Sequence, residues 1–505
     1  MRVEIVIEKD RARGWLLHLM DVLQKSRSAD VVFRFVDPEP PVSSALKTLL
    51  AFEKVLMRSH RPCGSELIDV DRLPQARDGE AQADWTFNLT PKSPSAFSGQ
   101  TFDIRFDGAL GEEALFAALI TNGTPTIEII DLSSGQIAAH GTASLEAAVG
   151  TGGAMEAVYS RVAILIGRVI GRAHEHGTPA KTDTLPPISV KQVATRMLRE
   201  SVVTVIRAIY RKCFHASHWR IGWRYGAAES VAANQDLGGA PWKVLASPHD
   251  HFYADPFLFE KDGRQFLFFE DLPQKTQKGV ISMVEMSPRG PVSEVQTVLE
   301  EPWHLSYPFV FERDGSIWMI PESSTNHEVV LYKAAEFPLR WERHSVLLSG
   351  VEAADATLVE HEGRLWMFAV TRHGVGGYSD TLSIYFADEL TGPWQPHKGN
   401  PVVVNDRTAR PAGEFYRQAG KLWRPVQDCR NGYGAALALA TVDELTPSTF
   451  KQTVHKTLTP GAVWPGRKLH TLNKAGDLEV IDGCTYHPRS QTAAYLKDLF
   501  EKSPS

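Results

Sequence analysis

The chain has 505 residues, 43% hydrophobic and 23% charged, with a net charge of −6 at neutral pH. That length points to two or more domains, and a slightly acidic balance with no clustered Lys/Arg arm argues against a nucleic-acid partner. The four cysteines, Cys63, Cys213, Cys429 and Cys484, stand far apart without a CxxC pair. They give no sign of a zinc site or a disulfide framework, and no metal or cofactor is expected.

In chain order, residues 1–10 alternate like a first strand and carry charge where a secretion signal needs an apolar centre. No run of about 18 apolar residues follows that would span a bilayer, so the cytoplasm is the expected location. Strands are predicted at 3–7, 31–36, 101–106 and 124–131, and helices at 14–24, 43–57 and 155–169. Such alternation predicts an α/β domain over 1–177 with a partly parallel sheet. The first strand runs into Glu8-Lys-Asp-Arg-Ala-Arg-Gly14 rather than a glycine-rich turn, which argues against dinucleotide binding. Residues 123–141 place a strand, Asp131, a turn at Gly135 and another strand in succession, and in this the domain resembles formyltransferase-type domains. Those enzymes use an Asn, a His and an Asp. No matching Asn-His pair precedes Gly123, so the resemblance implies a degenerate copy.

Residues 178–189 are rich in Pro and Thr and suit an exposed linker. From 190 to 212 the apolar positions Val193, Met197, Leu198, Val202, Val205, Ile206 and Ile209 recur at helical spacing, with Lys191, Arg196, Arg199, Arg207, Arg211 and Lys212 between them. The expected connector, 178–216, therefore includes a basic amphipathic helix. Such a helix either packs its stripe between domains or lies on an anionic membrane surface or an acidic partner.

The remainder repeats. Units starting at positions 255, 307, 355, 412 and 468 follow one another at 52, 48, 57 and 56 residues, each with a glycine turn and a hydrophobic strand after it. A period near 50 made of short strands predicts a five-bladed β-propeller over 217–490, followed by a C-terminal helix or tail at 491–505. The stretch His218-Trp-Arg-Ile-Gly-Trp-Arg224, upstream of the first unit, is placed to pair with the last blade and remove the open sheet edge.

Ala254-Asp-Pro-Phe257, Ala354-Asp-Ala-Thr357 and the five-unit period resemble family-43 glycoside hydrolases. His304-Leu-Ser-Tyr-Pro-Phe-Val-Phe311, Met319-Ile-Pro-Glu-Ser-Ser324, Ala409-Arg-Pro-Ala-Gly413 and Gln427-Asp-Cys-Arg-Asn-Gly-Tyr-Gly434 are similar to the N-terminal region of plant glucosamine inositolphosphorylceramide transferases and related bacterial proteins. In the plant proteins a separate glycosyltransferase domain follows, and none is expected after this propeller.

The hydrolase resemblance implies Asp255 as general base and Asp355 as its orienting carboxylate. The expected acid partner is replaced by Arg410 or displaced to Glu414, which stands two positions further along its strand. Arg410 is read as an anion clamp, with His304, Tyr307, Glu322, Asp428 and Tyr433 as further substrate-binding candidates. The implied function is a carbohydrate-active enzyme, glycoside hydrolase-like or glycosyl-transferring in surface polysaccharide or glycolipid assembly. Its substrate would be a glycan, a sugar phosphate or a nucleotide sugar. A non-catalytic glycan-binding module and a formyltransferase-like activity of the N-terminal domain stand as alternatives.

Overall fold

The computed structural model describes all residues except 39–41, 57–62, 78–80, 94–98, 172–187, 227–229 and 495–505. Most of the Pro/Thr-rich linker and of the C-terminal tail therefore lies outside the described residues. The chain divides into two compact units, Met1–Ile206 with His373–Gly377, and Arg207–Arg372 with Tyr378–Ser505.

The first unit is built on a mixed sheet whose strands run in space Asp30–Val36, Arg2–Glu8, Trp85–Asn88, Gln100–Phe106, Thr126–Asp131 and Ile137–Thr142. The first four are parallel and the last two antiparallel, as an α/β layer with an added hairpin requires. Arg2–Glu8 is buried on both faces. Its buried Glu4 and Glu8 are matched by Arg34 and Arg11. Helix Gly150–Ile170 is buried almost throughout, and its fully buried Arg161 donates to the carbonyl oxygens of His373 (2.9 Å) and Val375 (3.3 Å). A guanidinium out of water needs such acceptors, which explains why residues 373–377 cluster with this unit.

The second unit is a five-bladed β-propeller. Its blades begin with the strands His251–Lys261, Ser306–Arg313, Ala353–His361, Tyr416–Gln418 and Leu472–Ala475, each paired antiparallel to the next strand of its sheet. The turns after the first three use Asp262-Gly263, Asp314-Gly315 and Glu362-Gly363 with both φ angles positive. That is the geometry two-residue hairpins favour and the reason a glycine recurs there. The fifth sheet is completed by Phe214–Tyr225, antiparallel to Leu478–Pro488 with Ile221 opposite Asp482. The ring is thus closed by the strand expected from residues 218–224, which pairs with the last blade.

Candidate functional site

Three blades share a local departure from strand geometry. Asp255, Tyr307 and Asp355 stand eight residues before their turn glycines, each with φ between 45° and 56°, and at each the ladder skips between the residue before it and the second residue after it. A bulge with a non-glycine residue in the left-handed region is costly, and it re-aims the side chain. Seven residues past the same glycines stand Glu270, Glu322 and Val370. Glu270 pairs opposite Ala254 and Glu322 opposite Ser306, so carboxylates flank the bulges from the second strands.

Around Asp255 the partners form a chain. Its Oδ1 accepts from Thr471 Oγ1 at 3.0 Å and lies 3.6 Å from His470 Nε2. His470 Nδ1 is 2.6 Å from Asp482 Oδ2, and Asp482 also accepts the backbone N–H groups of Asp255, His470 and Thr471. The Trp219 ring of the closing strand stacks on His470, centroids 3.8 Å apart.

Burial penalises charge on His470, yet the carboxylates of Asp482 and Asp255 outweigh it and raise its pKa, which favours imidazolium. Burial also drives the Asp255 carboxyl upward; His470 opposes this, while Glu270, Asp355 and Asp482 add to it. Asp255 is therefore a buried acid held near its protonation threshold, a state suited to moving a proton. Its Oδ2 makes no hydrogen bond among the described residues. Asp255, His470 and Asp482 each offer a ligand atom within 4.8 Å of the others. The short His470–Asp482 contact, however, commits those atoms to a hydrogen bond.

Asp355 is held differently. Arg410 reaches it through Nε at 2.5 Å and Nη2 at 3.3 Å, and Gln427 Nε2 donates at 3.2 Å. Arg410 also donates from Nη1 to the Tyr378 carbonyl, lies 3.7 Å from Glu322 Oε2, and sits over the Tyr433 ring at 4.7 Å. Its guanidinium is thus matched inside the protein, and the reading of Arg410 as an anion clamp gives way to a positioning role. Burial raises the Asp355 pKa, opposed by Arg410 and reinforced by Glu322. Nearby, half-buried His304 accepts the Gly279 N–H at Nδ1 and lies 3.3 Å from Glu270 through Nε2. Burial lowers its pKa, but Glu270, Glu322 and Asp255 outweigh this and raise it overall.

The structure thus brings together Asp255, Asp355, Arg410, Glu322, His304 and Tyr433 and leaves three expected residues aside. Tyr307 is fully buried, its hydroxyl joined to Thr357 Oγ1 (2.9 Å) and to the Gly413 N–H (2.8 Å), so it fastens blades rather than meeting a ligand. Asp428 is bound by Arg430 within its own turn. Glu414 makes no side-chain hydrogen bond or ion pair among the described residues and opens into a pocket of about 370 Å³ beside Ser230, Asn473 and Glu479. It is solvent-exposed, yet the concave wall crowds it. Loss of hydration against that wall, rather than a charged neighbour, pushes its carboxyl up to about 7, with no contribution from Asp255 or Asp355. His470, Asp482, Glu270 and Gln427 were not foreseen, although Glu270, Glu322 and Gln427 all stand seven residues past a blade glycine.

In the first unit the side chain of Asn88 is spent on Asp103, Thr90 and the Lys92 carbonyl, and Asp131 is held by Ser133 and Gln100. That arrangement does not favour formyl-transfer chemistry there.

A family model described as glucosamine inositolphosphorylceramide transferase 1, N-terminal, matches residues 223–479. Glucosamine inositolphosphorylceramide transferase 1 of Oryza sativa subsp. japonica is 32% identical over 297 residues, covering 52% of this chain and 40% of the relative. The protein of that name from Arabidopsis thaliana is 34% identical over 234 residues, covering 46% and 30%. The chain thus spans two fifths or less of the length of these relatives. Among solved structures, the catalytic domain of a Coprinopsis cinerea GH62 alpha-L-arabinofuranosidase aligns at TM-score 0.36 and 10% identity, covering 52% of this chain and 85% of that one. A thermostable family-43 glycoside hydrolase aligns at 0.33 and 12%, covering 43% and 78%. The five blades rest on their own strand pairing, not on these likenesses. Because the family model accounts for just over half of the 505 residues and falls on the propeller that carries the acidic cluster, the chain belongs to the family of the N-terminal region of glucosamine inositolphosphorylceramide transferase 1.

Proposed function

We propose that the second unit is a carbohydrate-active propeller whose central acidic cluster binds a sugar headgroup, with Asp255 as the proton-transferring carboxyl. The observation that carries this reading is the set built on Asp255. It is a buried, strained acid with one oxygen uncommitted, and its other partners, Thr471, His470 and Asp482, are fixed by backbone and ring contacts. Asp355, locked by Arg410 and Gln427, sets the local field and holds the neighbouring blades in register. Glu270, Glu322 and His304 supply polar groups for hydroxyls, and the Tyr433 ring backs the Arg410 guanidinium beside them.

The name shared by the relatives supports an amino sugar or an inositol phosphate as the recognised headgroup, and glycolipid assembly as the setting. A nucleotide sugar is the corresponding donor if the reaction is transfer.

The helix Val190–Cys213 supports a lipid setting. Leu198, Val205, Ile206 and Ile209 are each more than half exposed, with arginines and lysines interspersed. An apolar stripe left in water beside cationic groups fits the surface of an anionic bilayer. Among the described residues no helix is long and apolar enough to cross a membrane.

Calorimetric titration of the full chain with soluble glucosamine, inositol phosphate and their conjugates tests the headgroup assignment. Saturable binding of at least one class is expected, and a protein that binds none of them overturns it. Binding without turnover of any conjugate favours the non-catalytic module.

A further inference from the structure

Apart from the acidic cluster, the propeller carries a second concentration of chemistry at its closing seam. His215, on the closing strand Phe214–Tyr225, lies directly across from His487 on Leu478–Pro488, at a point where that ladder carries an irregularity. His249 reaches the same place from the segment that leads into the first blade, and its carbonyl oxygen lies 2.8 Å from His487 Nε2. The rings of His249 and His487 are 4.4 Å apart, and those of His215 and His487 5.2 Å. Each of the three offers a ring nitrogen within 4.8 Å of the other two.

A fourth imidazole adds an independent indication. His218 is 7% exposed and stacks on His487 at 3.9 Å, and its Nδ1 is buried without a hydrogen-bond partner among the described residues. Folded chains rarely leave a buried polar atom so.

We propose that His215, His249 and His487 form a binding site for a borderline divalent transition metal such as Zn²⁺, which staples the closing strand to the last blade and to the entry of the first. Tetrahedral ligation at the usual zinc–nitrogen length places donor nitrogens about 3.4 Å apart, a spacing compatible with three imidazole nitrogens that all lie within 4.8 Å of one another. A donor set of imidazoles with no carboxylate selects zinc, nickel or copper over magnesium or calcium. The three ligands come from segments far apart in sequence that must meet for the ring to close, so metal binding and closure are linked.

The test uses tag-free full-length protein, stripped with a chelator and titrated with Zn²⁺ alone and, separately, with Co²⁺ alone. Expected are uptake of one Co²⁺ with visible d–d absorption, a higher thermal midpoint with Zn²⁺, and affinity at least about tenfold weaker in His249→Ala. His249 is exposed, so that substitution leaves the fold intact, and His487→Gln serves as a second variant. Absence of the Co²⁺ bands in the wild-type protein overturns the proposal. So does equal affinity in wild type and both variants, which would place the metal elsewhere, for instance at Asp255, His470 and Asp482.

Discussion

Arg410 and Asp355 are taken out of water together, and each makes the other tolerable. Arg410→Met leaves Asp355 buried without its cation and is expected to cost about 3–5 kcal/mol in denaturant unfolding. Adding Asp355→Leu is expected to restore much of that loss, because the stranded charge is then gone. Glu414 behaves in the opposite sense to a paired acid. Its carboxyl is raised from 4.5 to about 7, so between those values the folded state binds more protons than the unfolded one, and stability falls as pH rises. Glu414→Gln removes that slope. The variant is expected to gain on the wild type between pH 5 and pH 8 by roughly 1 kcal/mol, a figure reduced because the group opens to solvent. Asp255 and Asp355 were legible because both stand eight residues before a blade glycine. His470 and Asp482 were not, because the fifth unit was counted from Lys468 and its functional residues sit at a different offset from Gly476.

Among the elements, the closing strand and the basic helix carry the most consequence. The closing strand was readable from its place just upstream of the first unit, where a strand can pair with the last blade. Its Trp219 floor under His470 was not, since a sheet's register across 265 positions of sequence leaves no local trace. The helix was placed closely, at Val190–Cys213 against an expected 190–212. Its stripe, read with packing between domains as one possibility, is largely exposed. Replacing both Leu198 and Ile209 with Glu is expected to weaken sedimentation with phosphatidylserine-containing vesicles by at least about tenfold. The thermal midpoint is expected to change little, because both side chains already face water. In the first unit, helix Glu112–Thr121 escaped sequence reading because after its first turn it is apolar on every face and shows no period. Strand Trp85–Asn88 is too short for alternation to register.

At the scale of the molecule, an α/β unit and a propeller are joined in one chain, and the propeller carries the family relationship and the acidic centre. The repeat made the blades readable because every hairpin needs the same glycine. The centre was only half readable, because its residues meet through ring closure rather than through spacing. The most direct measurement is turnover of glucosamine- and inositol-phosphate-containing glycolipids, with and without nucleotide sugars, by wild-type protein and Asp255→Asn, with headgroup affinity measured alongside. A fall in turnover of about 10²–10⁴-fold with affinity changed by less than about tenfold is the expected result. Turnover that survives Asp255→Asn unchanged would contradict the role given to this carboxyl.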